Sequence, residues 1–417
     1  MKKIVKHISK NKFFRGGIFL TAASFISGFL NYLFNSLSGK VLGPSGYSEI
    51  AALFSYGILF LIQVQVIGID LIRRIGEKGV DRANFVKAWD SWFMAKIKRW
   101  WWLFIPYFLQ TLILPKITNL SPVFSFTLLT TTLLTFLSAF YLAALQGLHL
   151  FFVFSMIGIA ATLIKLMGPV LVFFKVDGLY TVAFFLIMSS FSTVLLGKLY
   201  LNRLYKNVSI SGIKVEKKLR QLFLNRWIII TTFSLLGINL LNNLDVIFVK
   251  KFFTSEVSGG YGAWSLFARI VFYVLGPIVG MSYVFFSSHE QQEKHQRGLF
   301  IFLGLTVLAG MLMYILYSYF GAPIIKLIFT DKFLTILPYL NLAAIFGTLY
   351  TLIFILNGYF MAKKSVFSLT VIIVVPVYWV FLYILGKNLE TIIFINIIAA
   401  VVIFCLYLFS VKLRLGD

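Results

Sequence analysis

Cysteine is nearly absent: the chain of 417 residues carries one, Cys405, so neither a disulfide framework nor a paired-cysteine metal site can be built. Acid is also scarce, with 14 Asp and Glu against 38 Lys and Arg, and charged residues make up only 12% of the sequence. The net charge of +24 does not indicate nucleic acid, because the bases lie between apolar runs and form no contiguous polar domain. No Gly-rich phosphate loop, G-x-S-x-G elbow or Asp-x-Asp motif occurs, which excludes the usual ATPase and soluble-hydrolase signatures. His289-Glu290 and Glu293-Lys-His295 bring metal-binding atoms close in sequence, but they lack HExxH order and fall in a short polar loop, so neither metal nor cofactor is expected.

What the chain has is apolar surface. Hydrophobic residues make up 60% and aromatics 18%, with a mean hydropathy of +0.92, more than one soluble core can hide, so lipid must be the solvent. The uncharged run from Gly17 to Leu37 is long enough to cross a hydrocarbon core of ~30 Å at ~1.5 Å per residue. Lys40-Val-Leu-Gly-Pro-Ser-Gly-Tyr47 then predicts a tight reversal into a second crossing that ends at Asp70-Leu-Ile-Arg-Arg74. Similar runs follow at roughly 100–115, 122–145, 151–174 and 179–200, then at 227–249, 260–286, 298–320, 336–360, 366–386 and 391–411. The fold class is therefore all-α: a polytopic integral membrane protein with about 12 transmembrane helices. The run at 100–115 is interrupted by Pro106. The basic N-terminus resembles a signal-peptide n-region but is followed by too long an apolar run, and is read as retained.

Placing the N-terminus in the cytoplasm puts 28 of the bases on cytoplasmic flanks and 8 on the opposite loops, which fits the positive-inside rule with both termini cytoplasmic. Between Asp81 and Trp100, apolar residues at helical spacing predict an amphipathic helix, lying at the headgroups or packed as a cap on protein. A basic linker at 201–226 divides an N-terminal lobe, 1–200, from a C-terminal lobe, 227–417. Aligning Gly46-Tyr47 with Gly260-Tyr261 also matches Leu30 with Leu244, Asn31 with Asp245 and Phe34 with Phe248, so the lobes are expected to be pseudo-symmetric six-helix repeats, parallel in the membrane, with a cleft between them.

Lys165 and Arg269 are the two bases left inside spanning segments. A charge near the bilayer centre costs on the order of 2.5–3.5 kcal/mol, so each is expected either to face an anionic substrate or to be held by a structural partner. Asp245 either balances Arg269 or binds a coupling Na⁺ or H⁺. Asp70, Arg73 and Arg74 share a helix face at the cytoplasmic end of the second crossing, as interface anchors or a phosphate-capturing mouth. Gln63 and Gln65 in the same crossing are placed either to touch a sugar or to bond a neighbouring helix.

Leu42-Gly-Pro-Ser-Gly-Tyr-Ser-Glu-Ile-Ala-Ala-Leu53, Gly68-Ile-Asp-Leu-Ile-Arg-Arg74 and Gly260-Tyr-Gly-Ala-Trp-Ser-Leu-Phe-Ala-Arg269 resemble the polysaccharide transport family. These are Wzx-type flippases of the multidrug/oligosaccharidyl-lipid/polysaccharide exporter superfamily. The resemblance implies a bacterial inner-membrane, multi-pass protein that turns a polyprenyl-diphosphate-linked oligosaccharide to the outer leaflet through a cationic lumen. It implies ion-gradient coupling, by Na⁺ or H⁺, with membrane lipids and polysaccharide polymerase machinery as further partners and no enzymatic activity. Two rivals stand beside it. A multidrug exporter of the same superfamily calls for an acidic lumen, and a membrane glycan polymerase or ligase calls for a large external loop, whereas the longest here is Ala322 to Leu337.

Overall fold

The computed structural model describes residues 12–76, 82–206, 226–287 and 295–415, all of them helix or connecting turn, with no strand among them. The basic N-terminus, most of the 201–226 linker, and His289, Glu290, Glu293 and Lys294 lie outside the described residues. Helix α1 runs Lys12–Gly76. Its apolar core alone, Ala22–Ile62, counts 41 residues, which as one straight rod would be about 60 Å, twice the hydrocarbon thickness. The rod is broken where the turn was expected, at the single residue Gly43 with φ 66° and ψ −176°. Glycine tolerates that left-handed φ without a Cβ penalty, and Pro44 then opens the second arm, where its missing N–H is no loss.

The amphipathic stretch forms α2, Arg82–Arg99. The run at 100–115 departs from expectation, since it is not one spanning helix. It divides into a 3₁₀ turn Trp101–Leu103, α3 Phe104–Leu109, a second 3₁₀ turn Gln110–Leu112, and α4 Leu114–Thr118. Pro106 and Pro115 cannot donate helical hydrogen bonds, and the tighter turns absorb the interruption. Tyr107 fastens the broken stretch by donating to the Leu129 carbonyl at 2.9 Å. Three long helices follow: α5 Pro122–Gly147, α6 Phe151–Phe173 and α7 Gly178–Leu204.

The remaining helices begin with α8 Arg226–Leu241 and α9 Leu244–Phe252, which meet at a 48° bend. Next come α10 Ser255–Val274, α11 Gly276–Ser287 and α12 His295–Ile328. After the 3₁₀ turn Asp331–Tyr339 comes α13 Leu340–Ala362, then α14 Thr370–Leu385 and α15 Leu389–Leu415. Each of the twelve expected runs has a helical counterpart, and eight helices among the described residues are long and apolar enough to span, nine with the bent pair. The chain is a multi-pass membrane protein. The expected external loop at 322–337 is itself mostly helical, because α12 continues past a break at Phe320 and the following turn buries Phe333 and Ile336.

The helices group into two compact units: Met1–Val41 with Phe60–Asn225, and Leu42–Leu59 with Arg226–Asp417. In the first unit, α2 packs its apolar face on protein, so the capping alternative describes it. Phe85, Val86, Ala88 and Trp89 are buried against Leu71, Ile75, Phe140, Tyr141 and Leu201. Trp89 stacks on Phe140 at 6.1 Å, and Tyr141 donates to Asp90 at 3.1 Å.

In the second unit, the start of the second α1 arm lies against α10 at backbone contact. A Cβ added at Gly259 would meet the Pro44 carbonyl oxygen at 1.8 Å, so no larger residue fits without movement. Without lipid-exclusion energy to join helices, such small-residue approach supplies the contact. Tyr47 caps an aromatic cluster, 5.2 Å from the Phe329 ring, which stacks on Phe333 at 4.6 Å. Deeper in, Asn357 accepts from Ser234 at 2.8 Å and from Tyr407 at 2.9 Å, joining α8, α13 and α15.

Candidate functional site

Lys165 lies well inside α6, one turn before Pro169. The proline lacks an N–H, so the Lys165 carbonyl loses its helical donor where the charged side chain leaves the helix. The ammonium donates to Asn31 Oδ1 and lies 4.8 Å from the centroid of the Phe34 ring, both on the first arm of α1. Asn31 is oriented for this, because its Nδ2 is engaged by the Ser27 carbonyl at 2.8 Å, leaving Oδ1 to accept. Lys165 is thus half-buried, with an amide oxygen and a ring face among the groups that hold it.

Asp245 is placed in the first turn of α9, where the helix dipole favours an anion. It is fully buried. Its Oδ2 accepts from the Tyr261 hydroxyl at 2.6 Å and from Asn396 Nδ2 at 2.9 Å. Asn396 Nδ2 also reaches the Tyr261 oxygen at 2.6 Å, and its Oδ1 accepts from Tyr378 at 2.6 Å. Four helices, α9, α10, α14 and α15, therefore converge on one carboxylate. Its Oδ1 is buried and makes no hydrogen bond within the described residues, an acceptor that a small cation or proton could use.

Arg269, on α10, makes no direct salt bridge to Asp245, although its charge acts on that carboxylate. Its Nη2 donates to the Asn242 carbonyl and to Asn243 Oδ1, each at 2.9 Å. These residues form the break between α8 and α9, so the guanidinium caps the carbonyl end of α8, a place where a cation is favoured. The side chains of Gln63, Gln65, Asp70, Arg73 and Arg74 lie outside the described residues. Lys165 belongs to the first unit and Asp245 and Arg269 to the second.

Sequence reasoning passed over Glu49 and counted Lys250 among external loop bases. The structure buries Lys250 to 1% exposure and sets its ammonium 2.7 Å from Glu49 Oε1 and 3.0 Å from Ser48 Oγ. Asn396 was also missed, although a lone amide in an apolar run meets the same depth argument that singled out Lys165. One contact recurs in both units. Phe34 touches Lys165 and Phe248 packs edge-on against Trp379 at 5.9 Å, and the partners of each pair are 131 positions apart.

Comparison by sequence matches no protein family and no curated protein. Comparison by structure does find similar folds. A lipid II flippase, MurJ, in an inward closed conformation, matches with a TM-score of 0.70 at 16% identity, over 95% of this chain and 87% of that one. An inward-facing multidrug resistance MATE transporter of the MOP superfamily matches with a TM-score of 0.73 at 13% identity, over 95% and 98%. The chain has the fold of these transporters. An outward-facing MATE structure also matches, with a TM-score of 0.64 at 14% identity, over 98% and 97%. Within this fold, Lys165 and Asp245 are charged side chains at membrane depth, one on Asn31 and the Phe34 ring, the other on Tyr261 and Asn396.

Proposed function

We propose that this chain is a flippase that moves a polyprenyl-diphosphate-linked oligosaccharide from the cytoplasmic to the outer leaflet of a bacterial inner membrane by alternating access, for assembly of a cell-surface polysaccharide such as O-antigen, capsule or exopolysaccharide. The observation that carries this is Lys165 at membrane depth, its ammonium on Asn31 Oδ1 and over the Phe34 ring, in a fold shared with a lipid II flippase. A diphosphate is attracted to such a cation, while a polyprenyl tail remains in lipid. Arg269 adds positive charge in the second unit while capping α8. Arg73 and Arg74 receive the diphosphate at the cytoplasmic end, Gln63 within the same segment meets a sugar, and Asp70 serves as an ion-coupling or ion-pair group. The two six-helix lobes act as repeats, a reading supported by the matched Phe34 and Phe248 contacts. Both termini are cytoplasmic, and the product is handed to polysaccharide polymerase machinery.

Asp245 is the coupling group in this proposal. Its unpaired Oδ1 takes up Na⁺ or H⁺, and the Tyr261, Asn396 and Tyr378 network transmits the change to four helices. The likeness to MATE transporters favours one second reading, cation-coupled multidrug export. A cationic drug, however, would be repelled by Lys165.

The test is flipping of a polyprenyl-diphosphate oligosaccharide in proteoliposomes. Removing one partner of a desolvated charge contact typically costs at least about 2 kcal/mol, so Lys165→Met is expected to slow flipping more than about tenfold, with Lys165→Arg retaining part of it. Flipping by Lys165→Met at the wild-type rate would overturn the proposal. Export of a cationic dye by the wild type, with no lipid flipping, would establish the second reading.

A further inference from the structure

The transport proposal leaves unused a half-open cavity of about 400 Å³ lined wholly by residues of the first unit. Its wall combines the second arm of α1 at Gly68, the α2 residues Trp89, Trp92 and Lys96, Phe104 of α3 and Phe140 of α5. Apart from Lys96 the lining is apolar or aromatic, so water, which needs two to four polar partners, would be poorly held there. In a chain solvated by lipid, hydrocarbon is the natural filling.

A cation lies in the wall, with two more beyond it along α2. Lys96 lines the cavity with its ammonium 5.7 Å from the Trp92 ring centroid, and Lys98 and Arg99 complete the last turn of α2, exposed. Trp100, Trp101 and Trp102 follow, all exposed, as an aromatic anchor of the kind found at headgroup level. Trp89 is 6% exposed, yet its indole N–H, like that of Trp92, finds no acceptor within the described residues. An apolar cavity, a lysine in its wall and indole donors without acceptors among the described residues together match an amphiphile with a hydrocarbon chain and an anionic, oxygen-rich head.

We propose that this cavity holds one acyl chain of an anionic phospholipid of the cytoplasmic leaflet, with its phosphate on Lys96 and with Lys98 and Arg99 alongside. The lipid would complete the packing between α2 and the broken stretch at 101–118.

Native mass spectrometry of the full chain tests this, with phosphatidylglycerol and phosphatidylcholine of identical acyl chains as probes. One phosphatidylglycerol should be retained in preference. Gly68 lines the cavity and a Cβ there meets nothing within 4 Å, so Gly68→Phe is chosen to fill part of it. It is expected to lower retention about tenfold, equivalent to roughly two buried methylenes. Lys96→Gln, which leaves the cavity intact, should weaken phosphatidylglycerol roughly fivefold and leave phosphatidylcholine unchanged. Equal retention of both lipids by the wild type, or unaltered retention by Gly68→Phe, would overturn the assignment. So would displacement of the phospholipid by polyprenyl phosphate, which would make the cavity part of the substrate path. None of these readouts depends on transport.

Discussion

The Glu49 and Lys250 pair gives the most quantitative prediction. The ammonium and carboxylate lie 2.7 Å apart, and Lys250 is 1% exposed. At an effective dielectric of about 20, their Coulomb attraction is about 6 kcal/mol. Desolvation of the two ions offsets it by several kcal/mol each, so the intact pair contributes little net stability. Removing one member is different, because the other then loses this counter-charge in a site that largely excludes water. Lys250→Met and Glu49→Leu are each expected to destabilise the protein by about 3–5 kcal/mol, while the double variant should lie within about 2 kcal/mol of wild type. The measurement is reversible unfolding in mixed micelles across the four proteins of the cycle. Additive losses, with the double variant as unstable as the two single losses summed, would show that the charges do not act on each other and would refute the reasoning.

Further substitutions probe other parts of the structure. Gly259→Ala places a methyl group 1.8 Å from the Pro44 carbonyl and should cost at least about 1–3 kcal/mol in the same assay. Gly28→Ala, where a Cβ meets nothing within 4 Å, should be neutral or stabilising by up to about 1 kcal/mol. Asp245→Asn keeps an acceptor for Tyr261 and Asn396 and should leave the fold intact, while abolishing the dependence of flipping on the Na⁺ or H⁺ gradient in proteoliposomes. Trp264→Phe removes the 2.8 Å bond to the Tyr339 carbonyl and should destabilise by about 1 kcal/mol, the net worth of one hydrogen bond.

The helical segments were legible because lipid imposes one rule along the whole chain: every apolar run must satisfy its own backbone hydrogen bonds, so length and charge alone locate helices. The break at Gly43 was legible from Gly-Pro chemistry. The stretch at 100–115 was not, because its hydropathy fits a span and only the combined effect of Pro106 and Pro115 divides it. Lys165 and Asp245 stood out as charges in apolar runs, but their partners did not. Asn31, Asn396 and Tyr378 are too common in membrane helices to be paired without three-dimensional contacts. Lys250 was misplaced for a related reason. It sits near the end of a run, where a base normally meets water, and only the approach of Glu49 from some 200 positions away makes burial tolerable. Arg269 likewise drew attention by depth alone, whereas its cap on α8 depends on a bend that sequence does not reveal.

Lipid-linked glycan in cells depleted of this protein gives the most direct test of flipping, with leaflet accessibility read by a membrane-impermeant sugar-modifying reagent. Flipping by this chain predicts complete oligosaccharide units that accumulate and stay protected from the external reagent, and are exposed again when the protein is restored. Units that reach the outer leaflet at the normal rate without it would contradict that role.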